Sequence, residues 1–216
     1  DDVYNWSDLS NAQDISTMFY GTLKLGGSKI AKAKYGTPKV DGEIEDLWNN
    51  VEEFTTEIAV VGSINNAKAT VRTMWDEQYL YVLATVNDTT LNQSSSNAWE
   101  QDSFEIFIDE NNNKSESYQD DDAQFRVNFV NEQSFGAGAS PDRFMTATKI
   151  TPNGYIVEAA IKWKTIKPSA GMMIGFDCQV NDANVSGSRT GILKWNDPTD
   201  NTWSSMAGVG NLILEN

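Results

Sequence analysis

At 216 residues the chain is long enough for one domain of good size plus an appendage. Its 31 acidic residues against 16 basic ones leave a net charge of -15, which argues against nucleic acid and anionic membrane as partners, because both need a basic face. There is no histidine, so the usual zinc sites, histidine-based triads and His-ligated haem are excluded; the single cysteine, Cys178, cannot form an internal disulfide, and no run reaches the ~18 apolar residues of a membrane span.

Residues 1–28 read as the tail of an upstream tandem copy plus a linker, cut from a longer protein. Trp6-Ser7-Asp8 and Gly21-Thr22-Leu23-Lys24-Leu25 echo Trp195-Asn196-Asp197 and Gly210-Asn211-Leu212-Ile213-Leu214 at equal separation. The alternative is a native N-terminal strand. In the upstream copy Asp14 would stand where the downstream copy has Trp203. Gly26-Gly27-Ser28 reads as the linker, which leaves residues 29–216 as the domain proper.

The domain opens with an expected strand from Ala31 to Val40, carrying Pro38, and the turn Asp41-Gly42. Trp48 with Ile44 and Leu47 is expected under the sheet. Ala69 to Trp75 and Tyr79 to Asn87 read as a hairpin around Asp76-Glu77-Gln78, with Leu80, Val82, Ala84 and Val86 on one face. After the polar stretch Asn92 to Asn97, the segment Ser103 to Asp109 alternates with a period of two. Phe104, Ile106 and Ile108 fall on one face, Ser103, Glu105 and Phe107 on the other. Phe125, Val127 and Phe129 alternate with Gln124, Arg126 and Asn128 in the same way. If these two strands pair, Glu105, Arg126 and Asn128 share a face near Trp99. Tyr155 to Ile161 follows the turn Pro152-Asn153-Gly154; Ile174 to Asn181 sets Phe176, Cys178 and Val180 against Asp177, Gln179 and Asn181; a last strand covers Gly210 to Leu214. Cys178 is thus expected to be a buried, inert thiol. The one hint of helix is a turn at Lys162 to Ile166. Many short alternating strands separated by turn signals imply an all-β fold, an antiparallel β-sandwich.

Two tryptophans, Trp99 and Trp203, stand in polar loops, where a large apolar ring is costly to wet. They read either as platforms that clamp a sugar ring or as loop anchors folded back on the sheet. Glu105, Arg126, Asn128 and Gln179 read either as the mixed carboxylate, guanidinium and amide set that sugar hydroxyls need, or as a solvated face with a weak surface pair. Asp88, Asn92 and Asp102 bracket the Ser-rich loop, and Asp120-Asp121-Asp122 crowds a turn. These are hard oxygen ligands suited to calcium, with a solvated acidic run as the alternative. A glycosidase would need a second carboxylate facing Glu105, and none appears; nor does a phosphate loop or a dinucleotide fingerprint. The chain therefore reads as a binding protein rather than an enzyme.

Tyr35-Gly36-Thr37-Pro38, Asp41-Gly42-Glu43-Ile44, Trp99-Glu100-Gln101-Asp102-Ser103, Glu105-Ile106-Phe107-Ile108-Asp109, Asp122-Ala123-Gln124-Phe125-Arg126-Val127-Asn128 and Ile161-Lys162-Trp163-Lys164-Thr165-Ile166 resemble the family 9 carbohydrate-binding modules, found as tandem appendages on secreted bacterial family 10 xylanases. The resemblance runs from Ala33 to Leu214. It implies a jelly-roll-like sandwich of two antiparallel sheets with structural calcium. It also implies a two-tryptophan pocket for the reducing ends of cellulose, xylan and short β-1,4-linked oligosaccharides, and a covalently linked xylanase catalytic domain in an extracellular parent chain. Trp99 and Trp203 would form the clamp, and Glu105, Arg126 and Gln179 would hydrogen-bond the terminal sugar, with Asn128 nearby. Asp200 departs from the family pattern, since it stands where close relatives carry a sugar-contacting Asn and so lacks the amide donor. The rival readings are a calcium-stabilised structural or adhesion domain without sugar affinity, and a haem-binding redox module of a related sandwich fold.

Overall fold

The computed structural model describes residues 28–216. The echo carried by Trp6, Asp14 and residues 21–25, and Gly26-Gly27 of the expected linker, lie outside the described residues.

The described chain is all-β. Its strands, in order, are β1 (Ile30–Tyr35), β2 (Phe54–Thr55), β3 (Ile58–Val61), β4 (Lys68–Trp75), β5 (Tyr79–Asn87), β6 (Ser103–Asp109), β7 (Asp122–Asn128), β8 (Gln133–Phe135), β9 (Phe144–Thr151), β10 (Gly154–Lys162), β11 (Met173–Ala183), β12 (Arg189–Lys194) and β13 (Gly210–Glu215). Short 3-10 turns at Asp46–Asn50, Ala98–Glu100 and Pro141–Arg143 are the helical elements among the described residues.

The hydrogen-bonded path runs β8-β7-β6-β11-β13-β1-β4-β5-β10-β9, with β12 alongside β11 and β3, and β2 alongside β4. The sheet curls so that its two halves share one core. Val82 and Ala84 of β5, Phe104 and Ile106 of β6, Phe125 of β7, Phe176 of β11 and Leu212 of β13 all belong to a single buried cluster. These are the inward positions that the period of two marks in each strand.

Four expectations are corrected. The path is one continuous sheet rather than two, and it is not wholly antiparallel: β1 lies parallel to both β13 and β4. The first strand ends at Tyr35, well before Val40, once Gly36 N–H has bonded to Trp75 O at 2.9 Å, and Pro38 has no N–H with which to extend it. Trp48 is buried as expected, but Ile44 and Leu47 are exposed. Trp48 instead packs with Met74, Tyr81, Leu83 and Ala160, so that β4, β5 and β10 are covered on both faces and carry apolar residues at successive positions. No helical turn forms at 162–166, because the Glu110 carboxylate accepts the N–H groups of Lys164, Thr165 and Ile166 at 2.9, 2.6 and 3.3 Å. Cys178 is fully buried, and burial pushes its thiol well above the ordinary range, as an inert residue requires.

Candidate functional site

The site grows from the side of β6 that faces away from the core. Glu105 lies directly opposite Arg126 on β7 and directly opposite Gln179 on β11, because both neighbours pair antiparallel with β6 at that register. Phe104 and Ile106 point the other way into the core, and this fixes which face the three polar groups share. The cluster is no solvated surface pair: Glu105, Arg126 and Gln179 are 1%, 8% and 4% exposed.

Glu105 is held by a ring of donors. Its Oε1 accepts from Arg126 Nε at 2.7 Å and from Asn181 Nδ2 at 2.6 Å, and its Oε2 accepts from Gln124 Nε2 at 2.7 Å. Burial alone would raise the carboxyl, but the Arg126 charge and these hydrogen bonds outweigh it and hold Glu105 below the ordinary glutamate range. It is therefore an anionic acceptor of fixed orientation. Arg126 also donates from Nη1 to Ser134 Oγ at 2.9 Å, and Gln179 Nε2 donates to Asn181 Oδ1 at 3.1 Å. These contacts leave Arg126 Nη2 and the Gln179 amide oxygen without a partner among the described residues.

Gly136 makes room for this arrangement. A Cβ there would lie 2.1 Å from Gln124 Oε1 and 2.9 Å from Gln124 Cβ, so only glycine lets the Gln124 side chain lie where it meets Glu105.

Above this floor stand the two tryptophans. Trp99 sits in the 3-10 turn Ala98–Glu100, whose loop is held by Ser95 Oγ donating to Glu100 Oε2 at 2.6 Å and Gln101 Nε2 donating to Ser95 O at 2.8 Å. Trp203 follows β12 in a turn where Ser204 N–H bonds to Asn201 O at 2.9 Å. Neither ring is folded back into the core, since Trp99 is 47% and Trp203 61% exposed. Both line one cavity of about 570 Å³ together with Glu105, Arg126, Gln179 and Asp200. Phe107 and Phe135 add apolar surface, and Gln124, Ser134 and Arg189 add polar groups. Asp200 Oδ2 lies 3.8 Å from Arg189 Nη2, a partly exposed ion pair in the lining of the cavity.

Asn128 is placed differently. It is not among the lining residues; its Nδ2 donates to Gln101 Oε1 and to Glu132 Oε2, each at 2.9 Å, and its Oδ1 accepts from Glu132 N–H at 2.8 Å, so it organises the turn after β7. Gln124 and Asn181 take the places beside Glu105. Their signal was present in the sequence, because Gln124 shares the alternation of Arg126 and Asn181 that of Gln179. Ser134, Phe135, Gly136 and Arg189 come from short or irregular segments with no such signal.

Two acidic clusters flank the site. Asp88, Asp102 and Asp182 bring carboxylate oxygens within 4.8 Å of one another, as do Asp109, Asp121 and Asp122. Asn92, the third ligand expected beside Asp88 and Asp102, secures the loop: its Nδ2 donates to Asn184 O at 3.0 Å and its Oδ1 accepts from Ser94 N–H at 2.8 Å. Asp182 of β11 supplies the third carboxylate. Burial, reinforced by Asp88 and Asp182, pushes Asp102 up to about 8, and burial likewise raises Asp88, Asp109 and Asp122. Asp88 Oδ2, Asp109 Oδ1 and Asp122 Oδ1 are buried oxygens with no hydrogen-bond partner among the described residues. Crowded carboxylates with orphaned oxygens fit a hard divalent cation.

A model of the family described as Carbohydrate family 9 binding domain-like matches residues 40–216. The chain is 60% identical over 212 residues to an endo-1,4-beta-xylanase A of Thermotoga maritima, covering 98% of this chain and 20% of that protein. It is 50% identical over 215 residues to an exoglucanase of Acetivibrio thermocellus, covering 99% of this chain and again 20% of the relative. The chain thus spans about a fifth of the relatives it matches. Among solved structures, a family 9 carbohydrate-binding module from Caldicellulosiruptor kristjanssonii in complex with cellotriose superimposes with a TM-score of 0.82 at 40% identity, covering 87% of this chain and 94% of that one. The glucose complex of such a module from the same organism gives 0.82 at 41%, covering 87% and 96%. With the fold, the floor of buried polar groups and the two exposed tryptophans in place, the chain belongs to the family 9 carbohydrate-binding modules and is a non-catalytic binding module.

Proposed function

We propose that the cavity between Trp99 and Trp203 captures the reducing ends of β-1,4-glucans and xylans, including cellulose, xylan and their soluble oligosaccharides. The observation that carries this reading is the combination of two exposed indoles with the buried Glu105, Arg126 and Gln179 on one cavity of about 570 Å³. The cellotriose and glucose complexes of similar modules support it.

The chemistry is that of a preformed receptor. The C–H faces of a pyranose pack on the indole rings, and the hydroxyls meet an anionic acceptor, a guanidinium donor and an amide. Glu105 is already aligned by Arg126, Gln124 and Asn181, so little order has to be imposed when sugar arrives. A terminal sugar with a free anomeric hydroxyl supplies one more donor and acceptor than an internal one. A buried polar site discriminates against ligands that lack such a group, because its own atoms would go unpaired. Calcium is the cation we assign to the Asp88–Asp102–Asp182 and Asp109–Asp121–Asp122 clusters, where it would neutralise crowded charge and fix the loops around the site. In the parent protein this module would hold a xylanase catalytic domain against plant cell wall outside the cell.

Calorimetric titration with cellobiose, xylobiose, methyl cellobioside and the alditol of cellobiose tests the proposal. Binding by the two free sugars with strong weakening by the blocked and reduced ends is the expected result. Equal affinity for all four would overturn the reducing-end assignment, and no binding by the folded, calcium-loaded protein would overturn the sugar site.

A further inference from the structure

Lys194, the last residue of β12, has no access to solvent. A buried lysine is expensive unless its charge and its N–H groups are matched. Here the three oxygens that accept hydrogen bonds from its ammonium come from the segment that leads to Trp203. Lys194 Nζ donates to Asp197 Oδ2 at 3.1 Å, to Thr199 O at 3.0 Å and to Thr202 Oγ1. Thr202 Oγ1 in turn donates to Asp197 Oδ2 at 2.5 Å, and Asp197 Oδ1 accepts from Thr199 N–H at 2.9 Å. Asp197 and Thr202 are themselves buried.

The same ammonium lies 5.4 Å from the centre of the Phe107 ring, which forms part of the cavity floor, and the Lys194 backbone stands opposite Gln179. A second anchor lies beneath. The fully buried Asp177 carboxylate accepts the N–H groups of Asn196 and Asp197 at 3.0 and 2.7 Å, tying the start of the loop to β11. Tyr118 OH donates to Thr202 O at 2.7 Å. Beyond Trp203 the loop is pinned by Met206 and Val209, buried against Phe107, whereas the stretch from Asp197 to Thr202 is held by this polar set.

We infer that Lys194 is the positioning residue of the Trp203 wall: through Asp197, Thr199 and Thr202 it holds the loop that presents the indole to the cavity floor. This rests on the sugar-binding reading of the cavity. An indole already held in its binding position loses less freedom when a ring stacks on it, so loosening the network weakens binding without removing any atom that touches sugar.

The test uses the whole chain labelled with 5-fluorotryptophan, with the Trp203 and Trp99 resonances assigned as those lost in W203F and W99F. The parent, K194M and T202V are compared by fluorine NMR, thermal melting and cellotriose titration. T202V removes only the hydroxyl and keeps the shape, so it carries the test should K194M not fold. The expected result is a folded T202V whose Trp203 resonance shifts or broadens while that of Trp99 stays, with cellotriose bound about 5- to 30-fold more weakly. A folded T202V with the parent's Trp203 resonance and the parent's affinity overturns the inference. A parent that does not bind cellotriose overturns the sugar reading instead, and the fluorine spectra still decide whether Lys194 positions Trp203.

Discussion

Glu105 and Arg126 face each other across β6 and β7 at 2.7 Å, in a place almost closed to water. A pair of this kind adds little net stability, because desolvation cancels most of the attraction, yet breaking it leaves a buried charge unmatched. E105Q should therefore destabilise the fold by about 3–5 kcal/mol and abolish measurable cellobiose binding. Denaturant unfolding and titration of the same preparation check both halves. A fully stable E105Q that still binds would mean that the pair does not define the site.

The pH response follows from the same group. Glu105 is held below its ordinary value of 4.5 in the folded protein, so the folded state binds fewer protons than the unfolded one as the medium turns acid. Its stabilising contribution is complete above 4.5 and disappears as pH falls through the depressed folded value. Affinity for cellobiose, measured with calcium saturating, should keep the Glu105 contribution from about pH 8 to pH 5 and lose it only in more acidic solution; the buried Asp177 under the Trp203 loop, pushed up to about 6 by burial, adds an earlier and smaller fall near that value. A midpoint near neutrality would implicate another group.

The two tryptophans should behave in the opposite way to Glu105. Both are largely exposed, so W99A and W203A should change unfolding free energy by only about 0.5 kcal/mol. Each should weaken cellotriose binding about 30-fold or more, since truncating a central aromatic anchor is where binding energy is lost. Melting curves beside calorimetry separate the two effects. Loss of fold in either variant would restore the loop-anchor reading.

Gly136 gives a finer probe. A methyl group there collides with the Gln124 amide, which must then leave Glu105 Oε2. Because Glu105 keeps its bonds from Arg126 and Asn181, G136A should weaken sugar binding by only about 3- to 10-fold, near the value of one ordinary hydrogen bond. Crystals of the variant should show Gln124 in a different rotamer. Unchanged affinity would show that Gln124 is dispensable.

Removing calcium should lower the melting temperature by about 5–10 °C, the shift expected when a ligand at hundredfold excess over its dissociation constant is withdrawn from a domain of this size. Scanning calorimetry with and without a chelator checks this. D122N, which removes one of the orphaned carboxylate oxygens' charge, should show a smaller chelator response than the parent. Identical melting in chelator would retire the calcium assignment.

Much of the site was legible because β-strands have a period of two and because Trp99 and Trp203 are out of place in polar loops. That was enough to put Glu105, Arg126 and Gln179 on one face. The periodicity could not show that this face is buried, since alternation reports which side a residue takes and not what covers it. Asn128 was misplaced for the same reason: it keeps the correct side but lies at the strand end, where the turn claims its amide. Asp182 joined Asp88 and Asp102 only through the pairing of β11 with β6, a contact between segments far apart in sequence. Nothing local announced the parallel placement of β1, because parallel and antiparallel strands of this length read alike.

That placement governs how the chain can reach its native state. β13, which follows β12 in the chain, lies between β11 and β1, so it joins the half of the sheet that builds the cavity between Trp99 and Trp203 to the half formed by β4, β5, β9 and β10. A ribosome making this domain from its N-terminus must release almost all of it before Ile30 can meet Asn211. Until then, both halves expose strand edges and apolar faces. Closure of such distant segments is slow for reasons of chain entropy. A chain stopped at Val209 would keep every residue that lines the cavity between Trp99 and Trp203 and still lack the seam that unites its sheet.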